Sequence, residues 1–396
     1  MSTSPQIATG AWCAAAAPHR FGGATHDRIL RAWTFGASIV AVGGIVFFGI
    51  AAAKVIAVSI LTAIGADWIV AQSRGRPVIG GFSHAVLTGL LLALTLPATI
   101  AWYVPFVGAA VSIVIGKALF GGLGHYLWQP ALLGRVVVQI VFLNSLTLGP
   151  QNPSWPVLGP KHLVTGSLSN GDEVELHRYP GWFRSQIGVT DDALKMPLPS
   201  QSLRRFADGR IPAENSLRYE PFVRDWLPPW EDTVIGLVPG GIGETGTLAI
   251  IVAGLYLIYR GYLRWQLPVA MIATAALAAA LLPIQIADSG GQYDWFPVFA
   301  DENGRAVGLA YVFYHLTSGG LMLGAFLLAG DMIATPMRGR GQVIFAACIG
   351  AMTIFLRLYG VLACACYWSI LVMNMFVPAI DRGMKRPILG IEPEAP

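Results

Sequence analysis

Apolar residues occur in long runs along this chain, and polar residues gather between the runs. A run of roughly twenty apolar residues can cross the ~30 Å hydrocarbon core of a bilayer as a helix. The apolar segments are 34–53, 55–72, 83–99, 102–119, 126–146, 243–260, 265–286, 308–332, 342–359 and 361–379. The pattern therefore predicts an all-α polytopic membrane protein with about ten transmembrane helices.

Basic residues near the ends of these segments predict how the chain is oriented, because Lys and Arg concentrate in cytoplasmic segments. With the N-terminus inside, the inner segments hold Arg28, Arg31, Arg74, Arg76, Lys117, Arg135, Arg260, Arg264, Arg338, Arg340, Arg382, Lys385 and Arg386. We therefore expect both termini in the cytoplasm of a bacterium and the protein in its inner membrane.

The orientation divides the chain into five parts. We expect a cytoplasmic tail, a first membrane repeat, a long irregular periplasmic loop, a second membrane repeat and a second cytoplasmic tail. Their ranges are 1–33, 34–146, 147–232, 233–380 and 381–396.

Two of the apolar segments contain glycines and polar residues that predict broken helices. They are GKALFGGLGHYLWQPALLGR, residues 116–135, and YHLTSGGLMLGAFLLAGDMIATP, residues 314–336. Irregular backbone at membrane depth is tolerated only where it is buried in protein or lines a cavity. The two segments occupy comparable positions in halves of opposite orientation, which predicts inverted repeats with a site at their interface.

Composition excludes several classes of function. The chain is 55% hydrophobic and 12% charged, and its net charge of +4 gives no reason to expect nucleic-acid binding. Its four cysteines do not indicate a disulfide framework, and no His/Cys cluster predicts a metal site. No G-x-G-x-x-G follows a predicted strand, so we do not expect the chain to bind NADH itself.

Three stretches, in order, resemble one known family. They are FSHAVLTGLLLALTLPATIAWYVPFVGAAVSIVIGKALFGGLGHYLWQPALLGRV, VPGGIGETGTLAIIVAGLYLIYR and SGGLMLGAFLLAGDMIATPMRGRGQVIFAACIGAMTIFLRLYG. They are similar to the D subunit of the Rnf electron-transport complex and the B subunit of the sodium-translocating NADH:quinone reductase. The resemblance extends from about residue 28 to residue 386.

The resemblance implies a membrane protein that relays electrons through a flavin and is not catalytic alone. It implies other membrane subunits of a Rnf-like or Nqr-like complex as partners, with an electron-transfer partner on the periplasmic face. Members of the family carry a riboflavin in the membrane domain and an FMN esterified to a threonine.

The residues expected to hold the flavin are glycines that allow close backbone approach and polar groups beside them. Glu244 and Thr245 begin a predicted helix, whose free N–H groups attract phosphate. The full set is Gly121, Gly122, Gly124, Gly240, Gly241, Gly243, Glu244, Thr245, Thr317, Ser318 and Arg357. Close helix packing is the alternative explanation of the glycines.

The family's flavin-acceptor motif, Asp-x-x-Ser/Thr-Gly-Ala-Thr-Pro-Leu, is incomplete here. The nearest match is DALKMPL, residues 192–198, in which Lys195 and Met196 replace the small residues. We therefore expect a riboflavin or FMN bound without a covalent link. Thr190 is the alternative acceptor, and Ser200 and Ser202 also remain open.

Two other functions are compatible with the same fold. One is a channel or transporter without redox function, and the other is a structural scaffold within a redox complex. The incomplete acceptor motif favours the channel or transporter, whereas the glycine-rich signatures favour the electron-transfer protein.

Overall fold

The computed structural model describes residues 26–75, 82–142, 165–167, 173–175, 203, 230–236, 238, 240–285, 293–294, 305–360 and 364–384. Within these ranges the first half of the chain forms α1 (His26–Phe48), α2 (Ile50–Ser73), α3 (Ser83–Leu94), α4 (Tyr103–Val111), a π-helical segment π1 (Ser112–Ala118) and α5 (Pro130–Val141).

The second half is also mainly helical. It forms α6 (Trp230–Ile235), α7 (Thr247–Tyr259), α8 (Gln266–Leu281), α9 (Arg305–Thr317), α10 (Leu321–Leu323), a π-helical segment π2 (Gly324–Leu328), α11 (Gly339–Tyr359) and α12 (Ala365–Gly383). Four very short strands pair in two antiparallel ladders, β1 (Thr165–Ser167) with β2 (Glu173–Glu175) and β3 (Ile284–Gln285) with β4 (Tyr293–Asp294).

Helix lengths confirm the predicted polytopic helical membrane protein. Among the described residues, α1, α2 and α11 are each long and apolar enough to cross a membrane. The bent pair Gly308–Thr317 and Leu321–Leu328, with 59° between its parts, makes a fourth if it counts as one span. Five further apolar helices are shorter, so the count of about ten spans stays a prediction.

Both predicted breaks coincide with π-helical backbone. π1 and π2 each end in an irregular loop, residues 119–129 and 329–338, before the next helix begins. The i→i−5 bonds from Leu119 to Val114 and from Ala329 to Gly324 close the two π segments at 3.0 and 2.7 Å. π-helical segments are rare, and those that do occur often lie at functional sites.

α3 ends before its apolar run does, because the carbonyl groups at its end bond the second half of the chain. The backbone N–H of Gly243 donates to Leu94 at 2.8 Å, and that of Ile242 donates to Leu96 at 2.9 Å. Pro97 follows directly and cannot continue the helix. The turn before α7 is thereby joined to the end of α3.

One boundary differs from the expected one. The first helix begins at His26 rather than at 34, since Leu30 and Trp33 bury one face of its charged first turns. The described residues of segment 147–232 are the β1–β2 ladder, Leu203 and the start of α6, so the long irregular loop expected there stays a prediction.

Glycine at position 89 lets α2 and α3 touch along their backbones. A Cβ there would lie 2.7 Å from the Ser59 carbonyl oxygen and 2.8 Å from the Ile60 Cα. We expect Gly89→Ala to destabilise the protein by about 1–3 kcal/mol through overpacking. Gly65→Ala is the matched control, because nothing lies within 4 Å of a Cβ at that position of α2. Thermal unfolding in detergent compares the two variants, and equal stability would contradict the close contact.

Candidate functional site

A partly buried carboxylate, Glu244, lies where the two halves of the chain meet. One of its oxygens accepts a hydrogen bond from the Tyr367 hydroxyl, and Oε2 accepts one from the Gly241 backbone N–H at 3.3 Å. The guanidinium groups of Arg135 and Arg357 act on it electrostatically. We call the surrounding residues the Glu244 cluster: Arg135, Glu244, Thr245, His315, Ser318, Arg357, Cys364 and Tyr367.

Arg135 connects the first half of the chain to this cluster. Its Nε donates to the Thr95 carbonyl at the end of α3 at 3.0 Å, and its Nη2 lies 3.0 Å from the Cys364 Sγ. The guanidinium carbon lies 5.8 Å from the centroid of the Tyr367 ring, within the range of a cation–π contact. Arg135 is only 4% exposed, so these contacts fix its position in the interior.

Arg357 binds the C-terminal end of α9. Its Nη1 donates to the His315 carbonyl at 2.5 Å, and its Nη2 donates to the Ser318 carbonyl at 3.1 Å. A cation is favourable at a helix C-terminus, where carbonyl groups lack helical partners. The sequence predicts either a partner within the protein or a flavin contact for Arg357. Among the described residues, its partners are the backbone carbonyls of His315 and Ser318.

Several buried polar atoms of the cluster have no hydrogen-bond partner among the described residues. They are the Nδ1 and Nε2 of His315, the Oγ of Ser318, the Oγ1 of Thr245 and the Nη1 of Arg135. His315 is fully buried and stacks edge-on against Tyr311, with ring centroids 4.5 Å apart. Unsatisfied buried polar atoms are rare in folded proteins, so a group of them marks a place for a polar ligand or water.

A second polar group joins the two irregular loops. The Tyr126 hydroxyl, from the loop after π1, donates to the Asp331 Oδ1, from the loop after π2, at 3.3 Å. The His84 Nε2 lies 3.3 Å from the same hydroxyl. We call His84, Tyr126 and Asp331 the Tyr126 cluster. It shows that the two broken regions, predicted separately, meet in the folded chain.

The Asn374 amide supports the same junction. Its orientation is assigned from the hydrogen bonds it can make. In that orientation its nitrogen donates to the Ala334 carbonyl at 3.1 Å and its oxygen accepts from the Gln129 N–H at 3.2 Å. The start of α5 and the loop after π2 are therefore both held against α12.

A buried ion pair lies at the end of π1. The Lys117 ammonium is 2.9 Å from both oxygens of Asp67 in α2, and the two side chains are 7% and 8% exposed. Arg74, at the end of α2, donates to the Ala118 carbonyl at 2.6 Å. Ionisable groups at membrane depth are costly unless paired, so these contacts fix π1 against α2.

Comparisons with known proteins agree with this architecture. A profile of the NQR2, RnfD, RnfE family matches residues 13–390. The chain belongs to this family. It is 30% identical to the D component of the proton-translocating ferredoxin:NAD(+) oxidoreductase complex of Clostridium ljungdahlii, over 95% of this chain and 96% of that protein. It is also 30% identical to the D component of the Na(+)-translocating ferredoxin:NAD(+) oxidoreductase complex of Acetobacterium woodii, over 89% and 86% of the two chains.

Family membership makes the position of the predicted flavin residues informative. The structure brings Gly240, Gly241, Gly243, Glu244 and Thr245 into or beside the Glu244 cluster, together with Thr317, Ser318 and Arg357. Gly121, Gly122 and Gly124 lie in the loop that carries Tyr126. Whether any of these residues binds a flavin stays a prediction.

The glycines of the loop after π1 and the glycines before α7 are required for different structural reasons. Gly121, Gly122 and Gly124 have φ of 106°, 106° and 96°, a conformation that disfavours other residues. A Cβ on Gly243 would lie 2.7 Å from the Leu94 Cβ, and one on Gly240 would lie 2.7 Å from the Thr245 Cγ2. A side chain at 243 would therefore clash with the end of α3, and one at 240 would displace the Thr245 methyl group. Whether these glycines also contact a flavin stays a prediction.

Sequence reasoning missed several members of the two clusters. The apolar pattern places Cys364 inside a helix, but it precedes α12 in the left-handed conformation, with φ of 64°, and contacts Arg135. Tyr126 and Tyr367 carry no signal in the sequence, because nothing in the local pattern records their distant partners, Asp331 and Glu244. Thr190, Ser200 and Ser202, the candidate acceptors of a covalent flavin, lie outside the described residues.

Proposed function

We propose that this chain is a membrane component of a Rnf-like or Nqr-like ion-translocating electron-transport complex and relays electrons through a flavin bound without a covalent link. Family membership supports the first part, since curated relatives are named as D components of ion-translocating oxidoreductase complexes. The other membrane subunits of such a complex are then its partners. The distribution of Lys and Arg supports an inner-membrane location with both termini in the cytoplasm.

The unpartnered atoms of the Glu244 cluster carry the second part. An isoalloxazine ring has carbonyl oxygens, ring nitrogens and one N–H, so it can bond donors such as Ser318 and either nitrogen of His315. Bound there, a flavin would supply reversible one- and two-electron chemistry. The unpartnered donors and acceptors of the cluster match the polar edge of such a ring in their chemistry.

The cluster also has a charge suited to an electron-rich ligand. Arg135 and Arg357 contribute two positive charges, and Glu244 contributes one negative charge in its ionised form. Positive charge fixed in a site of low polarity favours a ligand that gains negative charge. Backbone carbonyls of Thr95, His315 and Ser318 hold the two arginines in place. The side chains of His315, Ser318 and Thr245 offer hydrogen bonds that the described part of the protein does not use itself.

Flavin content tests the proposal. We expect purified wild-type protein, co-expressed with a flavin transferase, to release stoichiometric flavin in acid and to give no fluorescent band on a denaturing gel. A fluorescent band would contradict the non-covalent link and point to Thr190 or a neighbouring residue. The absence of both the released flavin and the fluorescent band would favour a channel or scaffold. Solute flux in proteoliposomes without an electron donor would then identify the channel.

The variant His315→Phe tests whether the flavin binds at the Glu244 cluster. Both lost nitrogens are unpartnered among the described residues, but the phenyl ring is slightly larger than the fully buried imidazole beside Tyr311, so we expect a folded protein that is destabilised by no more than about 1–3 kcal/mol. We expect flavin release to fall at least tenfold. The matched control is His84→Phe, which removes a histidine of the Tyr126 cluster and should retain flavin. Full flavin content in His315→Phe would place the cofactor elsewhere.

A further inference from the structure

We propose that a groove at the start of α2 binds an anionic phospholipid, whose phosphate contacts Lys54. The groove encloses about 290 Å³ between α2 and the turn before α4. Lys54 is the charged residue of its lining, and the rest is mostly apolar, including Ile50, Val55, Ile100 and Trp102.

The position of the groove along α2 places Lys54 near the headgroups. α1 and α2 are each long and apolar enough to cross a membrane, and Gly49 alone separates them, so their junction lies at a membrane face. Four residues of helix from Ile50 to Lys54 span about 6 Å. A headgroup layer is about 5–7 Å thick, so Lys54 lies near its boundary with the hydrocarbon.

Aromatic side chains mark the same level. Trp102 is 69% exposed and Tyr103 is 42% exposed on the adjacent turn. Trp and Tyr gather where hydrocarbon meets headgroups, because one part of each ring system is apolar and another is polar. The groove thus opens toward lipid at the depth where a phosphate lies.

The charge of Lys54 is not neutralised by the described part of the protein. The ion pair of the described residues joins Lys117 to Asp67 and does not involve Lys54. An exposed ammonium at the edge of the hydrocarbon is costly without an anion or water. A phosphate with a negative headgroup provides that anion.

A lipid fits the groove better than a free phosphate ion does. The ion would neutralise Lys54 but leave the apolar cavity unfilled, whereas a lipid places an acyl segment in it. The volume is at the small end for ligand pockets, so the groove holds part of one chain. Ile50 and Leu61 are 76% and 69% exposed on the same helix, so an acyl chain in the groove would continue an apolar surface that faces outward from the chain.

Native mass spectrometry of the purified full chain, and of the assembled complex, tests the proposal with phosphatidylglycerol as the probe and phosphatidylcholine as the neutral comparison. We expect one retained phosphatidylglycerol in the wild type and in Lys54→Arg. Lys54→Met should reduce its retention at least tenfold, and so should Ala51→Phe, which fills the cavity and keeps the ammonium. Leu61→Phe, on the lipid-facing surface outside the groove, should retain it.

Three results would overturn the proposal. Equal retention in wild type and Lys54→Met would exclude a role for the ammonium. Displacement of the lipid by inorganic phosphate, with no effect of Ala51→Phe, would indicate a free anion site. In the assembled complex, carbodiimide coupling of Lys54 to an acidic residue of another protein, with no lipid retained, would assign the groove to a protein partner. Thermal unfolding of each variant confirms that retention is compared between folded proteins.

Discussion

Lys117→Met is expected to cost the folded protein about 3–5 kcal/mol, because it leaves a buried carboxylate without its cation. The Lys117 ammonium contacts both oxygens of Asp67, and the two side chains are 7% and 8% exposed. Methionine fills a volume similar to that of lysine, so the lost stability comes from the unpaired charge of Asp67 and not from a cavity. The measurement is thermal or denaturant unfolding of the protein in detergent.

The double variant Lys117→Met with Asp67→Leu is the control for this prediction. Removing both charges leaves no unpaired ion, and replacing a buried pair by apolar groups is often neutral or stabilising. We therefore expect the double variant to recover most of the stability that the single variant loses. If the double variant is as unstable as Lys117→Met, packing rather than charge holds π1 against α2.

Glu244→Ala is expected to cost about 3 kcal/mol or more and to abolish electron transfer in the assembled complex. It removes the carboxylate that offsets two buried guanidinium groups and that accepts the Tyr367 hydroxyl. Flavin content and unfolding should be measured on the same preparation, so that loss of the fold is separated from loss of the cofactor.

Two milder variants separate the contribution of the Tyr367 hydrogen bond from that of the Glu244 charge. Tyr367→Phe removes one hydrogen bond to a charged group and should cost about 1.5–3 kcal/mol while both arginines keep their counter-charge. Glu244→Gln keeps the shape but not the charge, so we expect a folded protein with a reduced electron-transfer rate. A fully active Glu244→Gln complex would show that the negative charge has no role in the relay.

Much of the architecture could be predicted because apolar runs of this length have few alternatives to membrane helices. α11 and α12 begin within a few residues of the predicted segments, and both predicted breaks are present. The pairing of Lys117 with Asp67 is one of two possibilities that the sequence leaves open, since snorkelling also suits groups near a helix end. The pair is 50 positions apart in the chain, so only the packing of π1 on α2 decided it.

The sequence by itself determined the helical membrane fold, the two broken regions and the family, because these depend on local composition and on motifs that are continuous in the chain. The tertiary structure decided which polar groups meet. Arg135 reaches Cys364 across 229 positions, and Tyr126 reaches Asp331 across 205. Such contacts depend on how helices from the two halves pack, and no periodicity within one helix records that arrangement.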